Sequence, residues 1–223
     1  KSQTNQTVNL ALFDFDGTLA DTSNSMIETM QEVISKLKLP NKKNEEIKKL
    51  IGPPLPIMIN QLFPEISCEK QEDLFLGHRK KYAEKGWKKV ELYFGINELL
   101  QDLSKKQYGI SIISLKPEEY IKKICKKLEI TNYFDFIIGV DLSSAPITKK
   151  ELLIKKVLHL YTIPQESVVM IGDTESDIKA ANICGIDSIM VTYGYGEIKN
   201  QHILPTYIVT SVEELRKELL NGT

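Results

Sequence analysis

Leu10-Ala11-Leu12-Phe13-Asp14-Phe15-Asp16-Gly17-Thr18-Leu19 is an apolar run broken by two carboxylates two residues apart and then by a glycine. The run is short, bulky and almost free of polar atoms until Asp14, which reads as a buried strand. Side chains alternate faces along a strand, so Asp14 and Asp16 are expected on one side and Phe13 and Phe15 on the other. Two unpaired acids at the end of a hydrophobic strand are costly unless a cation, a proton or a set of donors meets them. Gly17 allows a tight turn with close backbone approach, and Thr18 sets a hydroxyl beside it.

The pattern after this strand divides the chain. From residue 22 to 88 no convincing strand occurs, and helical spacing dominates. Ser23–Leu39 carries Met26, Ile27, Met30, Val33, Ile34 and Leu37 on one face and meets Pro40. Shorter helices are expected over 44–51 and 55–63, separated by Gly52-Pro53-Pro54, and a longer one over 67–85, closed by Gly86. From residue 96 helices alternate with short apolar strands: 109–114, 136–140, 167–171, 188–191 and 207–209. Near-continuous apolar strands separated by helices indicate a parallel sheet covered on both faces. The expected fold class is α/β, a doubly wound, Rossmann-like parallel sheet with an inserted all-helical cap. Residues 1–20 and 90–223 are assigned to the core and 21–89 to the cap.

Composition narrows the function classes. The 223 residues include 29 Lys and Arg against 30 Asp and Glu, a formal net charge of −1, which argues against a broad nucleic-acid surface. Arg79 and Arg216 are the only arginines, so bidentate recognition of carboxylate or phosphate has few candidates. Cys68, Cys125 and Cys184 are far apart and odd in number, consistent with reduced thiols and a cytoplasmic setting. No run of 18 apolar residues suggests a membrane span. A monomer is the default expectation, with a dimer as the alternative.

In doubly wound sheets ligands sit beyond the strand C-termini, so each tip deserves inspection. Residues 110–114 end in Ser114, followed by Leu115-Lys116-Pro117, where a hydroxyl and a lysine can meet an anion. Residues 168–171 run into Gly172-Asp173-Thr174-Glu175-Ser176-Asp177, placing Asp173 at a tip and Asp177 one helical turn on. Acids at a helix start also cap it and oppose its dipole. Four carboxylates, Asp14, Asp16, Asp173 and Asp177, at one sheet edge would repel without a hard, oxygen-liganded ion, for which Mg²⁺ is the expected choice. A lysine balancing an anionic substrate is available at Thr148-Lys149-Lys150, at a helix start.

Taken in order, these motifs resemble the haloacid dehalogenase superfamily over nearly the whole chain. Asp14-Phe15-Asp16-Gly17-Thr18-Leu19 is similar to its first motif, Ser114 to the Ser/Thr of its second, Lys149 to the lysine of its third, and Gly172-Asp173 with Asp177 to its fourth. The helical insertion, and Tyr193-Gly194-Tyr195-Gly196 after a late strand, look like the phosphoglycolate phosphatase-like branch with its small helical cap. That resemblance implies a Mg²⁺-dependent phosphatase acting on a small phosphorylated metabolite such as phosphoglycolate. Asp14 would be the nucleophile, forming an aspartyl phosphate, and Asp16 the general acid and base. The metal would take the side chains of Asp14 and Asp173, the backbone carbonyl of Asp16, and Asp177 directly or through water. Ser114, Leu115, Lys149 and the turn at Gly17 and Thr18 would hold the phosphoryl group. Lys149 is preferred to Lys150 because it leaves Glu151, Leu152 and Leu153 in the family's register.

Ser114-Leu115-Lys116 departs from the Thr-Asn-Lys string common in that branch, so an amide side chain is missing. A phosphomutase or a nucleotide or pyrophosphate phosphatase would use the same residues, whereas a dehalogenase would need neither Asp16 nor a metal. A non-catalytic phospho-acceptor module is the alternative of a different class, and the long helical insertion argues against it. Gly52-Pro53-Pro54 is a candidate for closing over the substrate. Arg79 is a candidate for meeting a carboxylate, against the simpler reading of an exposed basic face.

Overall fold

The quoted stretch forms an interior strand, β1 (Leu10–Phe13), of the computed structural model, which describes residues 9–143, 149–161 and 163–221. After it come β2 (Ala20–Asp21) and four helices, α1 (Ser23–Lys36), α2 (Asn44–Lys48), α3 (Leu55–Leu62) and α4 (Cys68–Glu84). The chain returns through β3 (Glu91–Leu92) to α5 (Ile96–Lys105), β4 (Gly109–Pro117), α6 (Glu118–Lys127) and β5 (Phe136–Val140). It closes with α7 (Lys150–Leu158), β6 (Val168–Gly172), α8 (Glu175–Cys184), β7 (Asp187–Val191), β8 (Tyr207–Val209) and α9 (Val212–Asn221).

Six strands pair in parallel in the order β5-β4-β1-β6-β7-β8. From β1 the chain builds outward through β4 and β5, then crosses back to begin the other half at β6. The order therefore reverses between β1 and β6, and the crevice beyond their C-termini is where such sheets bind ligands. Phe13 is level with Ile112 on one neighbour and Ile171 on the other, so the residues that follow all three strands gather at one edge.

Period-2 alternation decides what each face buries. Leu10 and Leu12 join Leu153, Ile154 and Ala181, from α7 and α8, on one side of the sheet. Ala11, Phe13 and Phe15 join Leu99, Ile121 and Leu215, from α5, α6 and α9, on the other. All the β1 side chains are fully buried. Each large one contributes about 1.5–3 kcal/mol of burial free energy, which anchors the acidic tip rigidly.

The insertion has a core of its own. Met30 and Ile34 of α1, Ile47 of α2, Met58 and Ile59 of α3 and Leu74 of α4 form one buried cluster. Ser67 begins α4 by accepting the Lys70 amide at 3.3 Å, as expected of a serine N-cap. α1 ends three residues before the expected Leu39: Lys38 has φ 53, a left-handed residue that stops the helix at Lys36.

Two further details differ from the sequence pattern. β2 and β3 pair antiparallel, tying the two connections of the helical insertion together, but two residues apiece give no readable alternation. β4 continues past Ser114 to Pro117, with a register shift against β5 between Ile113 and Pro117. Among the described residues, no helix is long and apolar enough to cross a membrane.

Candidate active site

Asp14 follows β1 on the same side as Leu10 and Leu12, facing α7 and α8. Its Oδ1 lies 2.8 Å from the ammonium of Lys150, which also pairs with Oδ1 of Asp177. All three side chains are buried. Burial pulls the Lys150 ammonium down, but Asp14 and Asp177 overcome it and hold it above its ordinary range. Burial and the neighbouring Asp177 carboxylate push Asp14 well above the usual carboxylate range, against the pull of Lys150.

The lysine at this position is thus Lys150, which corrects the expectation of Lys149. Helix α7 begins at Lys150; Lys149 precedes it in extended backbone with its side chain exposed. A shift of one residue at a helix start turns the side chain by about 100°, enough to move it from crevice to solvent. Thr148, the other member of that string, lies outside the described residues.

Asp173 and Asp177 come from the β6–α8 junction. Asp177 closes a capping box, its Oδ2 accepting the Thr174 amide at 2.9 Å and the Thr174 hydroxyl at 2.7 Å. It is therefore both helix cap and partner of Lys150. Asp173 is fully buried; its Oδ1 accepts the Thr18 hydroxyl at 3.2 Å and its Oδ2 the Tyr195 and Gly196 amides at 2.7 and 3.3 Å. Burial and Asp177 push its carboxyl up to about 7 in spite of those amides.

Asp16 does not share the setting of Asp14, as strict alternation had it. The strand stops at Phe13, and the turn through Gly17, whose φ is +80, loops back so that the Gly17 amide donates to the Ala20 carbonyl at 2.9 Å. Asp16 is carried toward the helical insertion, where its Oδ1 meets the buried Lys116 ammonium at 3.0 Å. Burial opposes the Lys116 charge, but Asp16 and Tyr82 keep it above its ordinary range. The Ser114 hydroxyl, buried in the C-terminal half of β4, accepts the Lys116 amide at 3.2 Å. Leu115 lines the cavity beside Lys116.

Gly17 and Thr18 were expected to cradle substrate; the structure turns both toward Asp173. The Thr18 hydroxyl bonds that carboxylate, and a Cβ on Gly17 would overlap it. Gly194 shows the same constraint, since a Cβ there would collide with the Gly17 carbonyl and the Asp173 side chain. Tyr195 bridges outward: its hydroxyl accepts the Thr22 and Ser23 amides at 2.6 and 3.0 Å and donates to Asp21 at 2.8 Å. One residue thereby ties Asp173 to the start of the helical insertion.

Carboxylate oxygens of Asp14, Asp173 and Asp177 all lie within 4.8 Å of one another. Three buried carboxylates face one ammonium, and burial together with the neighbouring carboxylate charge shifts Asp14 and Asp173 upward. An all-oxygen donor set of this charge suits a hard divalent cation such as Mg²⁺.

A cavity of about 400 Å³ opens beside Asp16 and Lys116 and runs between the sheet edge and α3–α4. Gly52-Pro53-Pro54 borders it, and so does half-buried Arg79, whose guanidinium lies 5.5 Å from the Phe75 ring centre. Arg79 is thus not confined to an exposed basic face. Reading the sequence alone missed His78 and Tyr82 on the cavity wall. Their spacing with Leu74, four residues each, marks one buried stripe of α4.

The model of the family described as haloacid dehalogenase-like hydrolase matches residues 11–191. The tyrosine-protein kinase PtkA of Mycobacterium tuberculosis is 27% identical over 213 residues, covering 94% of this chain and 72% of that protein. The phosphoglycolate phosphatase of Aquifex aeolicus is 26% identical over 210 residues, covering 94% of this chain and 96% of that protein. Among solved structures, a proposed phosphatase from Clostridium difficile superposes with a TM-score of 0.86 at 30% identity, covering 96% of this chain and 100% of that one.

Proposed function

Because the chain belongs to the haloacid dehalogenase-like hydrolase family, we propose that it is a Mg²⁺-dependent phosphatase that hydrolyses a small phosphate monoester through an aspartyl phosphate on Asp14. The observation that carries this reading is the clustering of Asp14, Lys150, Asp177 and Asp173 beyond the β1–β6 switch point. The kinship with a phosphoglycolate phosphatase supports the reaction class.

In this mechanism an Asp14 carboxylate oxygen attacks phosphorus as the ester P–O bond breaks, and Asp16 gives its proton to the departing alkoxide. Asp16 then takes a proton from water, whose oxygen attacks the same phosphorus and releases inorganic phosphate and free Asp14. Lys116 holds Oδ1 of Asp16 and so orients the carboxyl, leaving Oδ2 to carry the proton. Lys150 keeps Asp14 aimed, and with Ser114 it supplies positive charge and a hydroxyl donor to the phosphoryl oxygens as charge moves between them. Mg²⁺, held by Asp14, Asp173 and Asp177 with the Asp16 backbone carbonyl, would shield the anionic nucleophile from the anionic phosphate.

The test is phosphate release from p-nitrophenyl phosphate with and without Mg²⁺. Release is expected only with the metal and is lost in Asp14→Asn; rapid acid quench followed by mass spectrometry should find the phosphoryl group on the peptide that contains Asp14. Turnover that survives Asp14→Asn overturns the assignment.

A further inference from the structure

We infer that the alcohol this site releases is a ring-sized, largely apolar group carrying one hydrogen-bonding substituent, and that His78 and Tyr82 read that substituent. The inference rests on the phosphatase reading for the position of the phosphoryl group, and concerns what lies on the far side of Asp16.

Asp16 and Lys116 stand at the mouth of the cavity, so an alcohol protonated by Asp16 projects into it. Its volume of about 400 Å³ falls within the about 300–1,000 Å³ usual for small-molecule sites. A two-carbon acid would occupy a small part of that space. The apolar part of the lining includes Met26, Ile57, Met58, Phe75, Leu115 and Tyr120. Such a lining rewards an apolar body and gives a short, highly charged one little to bind.

Besides Asp16, Lys116, Arg79 and Asp141, two polar side chains of α4 stand in this wall. His78 Nε2 and Tyr82 Oη are buried and make no close hydrogen bond, Tyr82 lying beside the Lys116 ammonium and the Ser25 hydroxyl. Their rings stack with centroids 5.8 Å apart, and Tyr82 is braced edge-on by Tyr120 at 5.1 Å. Burial holds His78 far below its usual value, so its imidazole is neutral at physiological pH. A phenol donor beside a neutral imidazole nitrogen is complementary to a hydroxyl or carbonyl on a ligand. Leaving a buried polar atom unsatisfied is costly, and a ligand that satisfies both gains selectively over one that cannot.

Lys116 is held by Asp16 and the neighbouring Tyr82, and Arg79 stands at the wall over Phe75, as a cation suited to an aromatic neighbour. These placements favour a ring near Phe75 and Arg79, with its substituent directed at His78 and Tyr82.

The experiment compares kcat/KM for benzyl phosphate, 3-hydroxybenzyl phosphate and phosphoglycolate in the wild type with Mg²⁺, and repeats the two benzyl esters in Tyr82→Phe and His78→Leu. The benzyl esters leave as ordinary alkoxides, so the comparison reports the cavity rather than an activated leaving group. Both benzyl esters should exceed phosphoglycolate by about tenfold or more. The preference for the hydroxylated ester over its parent should fall about tenfold in Tyr82→Phe, chiefly through KM. Calorimetry with 3-hydroxybenzylphosphonate, which cannot be hydrolysed, should show the same loss in the variant. Faster hydrolysis of phosphoglycolate, or a preference untouched by both variants, overturns the inference and leaves the phosphatase reading standing. No phosphate release from any ester overturns the phosphatase reading instead; binding of the phosphonate that depends on Tyr82 would then still support the cavity's assignment, and its absence would end both.

Discussion

The ammonium of Lys150 lies 2.8 Å from Oδ1 of Asp14 and pairs with Asp177 in the same buried space, whereas Lys149 is exposed. Replacing Lys150 by Met should lower kcat/KM by about 10²–10³-fold, the usual range for losing one preorganised electrostatic partner. It should also destabilise the fold by about 3–5 kcal/mol, because two buried carboxylates lose their counter-charge. Lys149→Met should change neither rate nor melting temperature measurably. Steady-state kinetics and thermal unfolding of the two variants side by side decide the matter; equal effects would mean that both lysines serve the site.

The acidic cluster makes a second prediction with opposite signs in two conditions. Asp173→Asn removes one of three mutually repelling buried carboxylates while retaining an oxygen for the Tyr195 amide. Without divalent ions the variant should therefore melt above the wild type. Millimolar Mg²⁺ should raise the wild-type melting temperature, as expected for a ligand that binds only the folded state, and should have little effect on Asp173→Asn. A Mg²⁺-induced shift of equal size in both proteins would remove Asp173 from the ligand set.

How much of this was readable beforehand follows from the range of each interaction. The sheet was legible because β1, β4, β6 and β7 are apolar runs whose burial needs no knowledge of their partners. Asp14 and Asp173 were legible because charge at the tip of such a run has no packing explanation, and Asp177 because it follows Asp173 by one helical turn. The choice between Lys149 and Lys150 depended on where one helix starts, which local pattern fixes only to within a residue or two. Asp16 parted from Asp14 because Gly17 bends the chain with positive φ, a geometry that alternation does not contain. His78 and Tyr82 stayed hidden because a half-polar side chain in a helix stripe looks like any amphipathic position until the opposing wall is known.

Tyr195 makes a third prediction, about coupling between the two halves of the molecule. Its amide holds Asp173 while its hydroxyl holds the Thr22 and Ser23 amides and Asp21. Tyr195→Phe keeps the ring and the amide bond and removes only the outer contacts. Hydrogen exchange at the first turn of α1 should accelerate, with overall stability falling by about 1–3 kcal/mol for the amide groups left unpaired. Unchanged exchange at Thr22 and Ser23 would show that the tyrosine does not fasten the insertion.

Gly194 offers a steric test of the same loop. Any side chain there must displace either the Gly17 carbonyl or the Asp173 carboxylate. Gly194→Ala should therefore weaken Mg²⁺ dependence and rate together, raising the Mg²⁺ concentration for half-maximal activity about tenfold or more. A neighbouring substitution, Glu197→Ala on the exposed part of the loop, should leave that concentration where it was. Activity titrated against Mg²⁺ for both variants distinguishes a crowded metal site from general loosening of the loop.

His78 carries a prediction about acid stability whose sign follows from its depressed pKa. Burial, with a smaller contribution from the Lys116 charge, holds it at about 3, against 6.5 for an unperturbed histidine. Above about pH 7 both folded and unfolded chains carry it neutral, and it adds nothing to the pH dependence. Between 6.5 and 3 the unfolded chain takes up a proton that the folded chain refuses, so stability is lost as pH falls through this window. At one pKa unit per about 1.36 kcal/mol, the loss reaches about 2–3 kcal/mol by pH 4.5. His78→Leu lacks this linkage. The difference in unfolding free energy between wild type and variant, measured in denaturant at pH 7.5 and again at pH 4.5, should shift by that amount against the wild type. Parallel profiles would mean that His78 accepts a proton while the cap stays closed, and with it that the cavity wall is open to water.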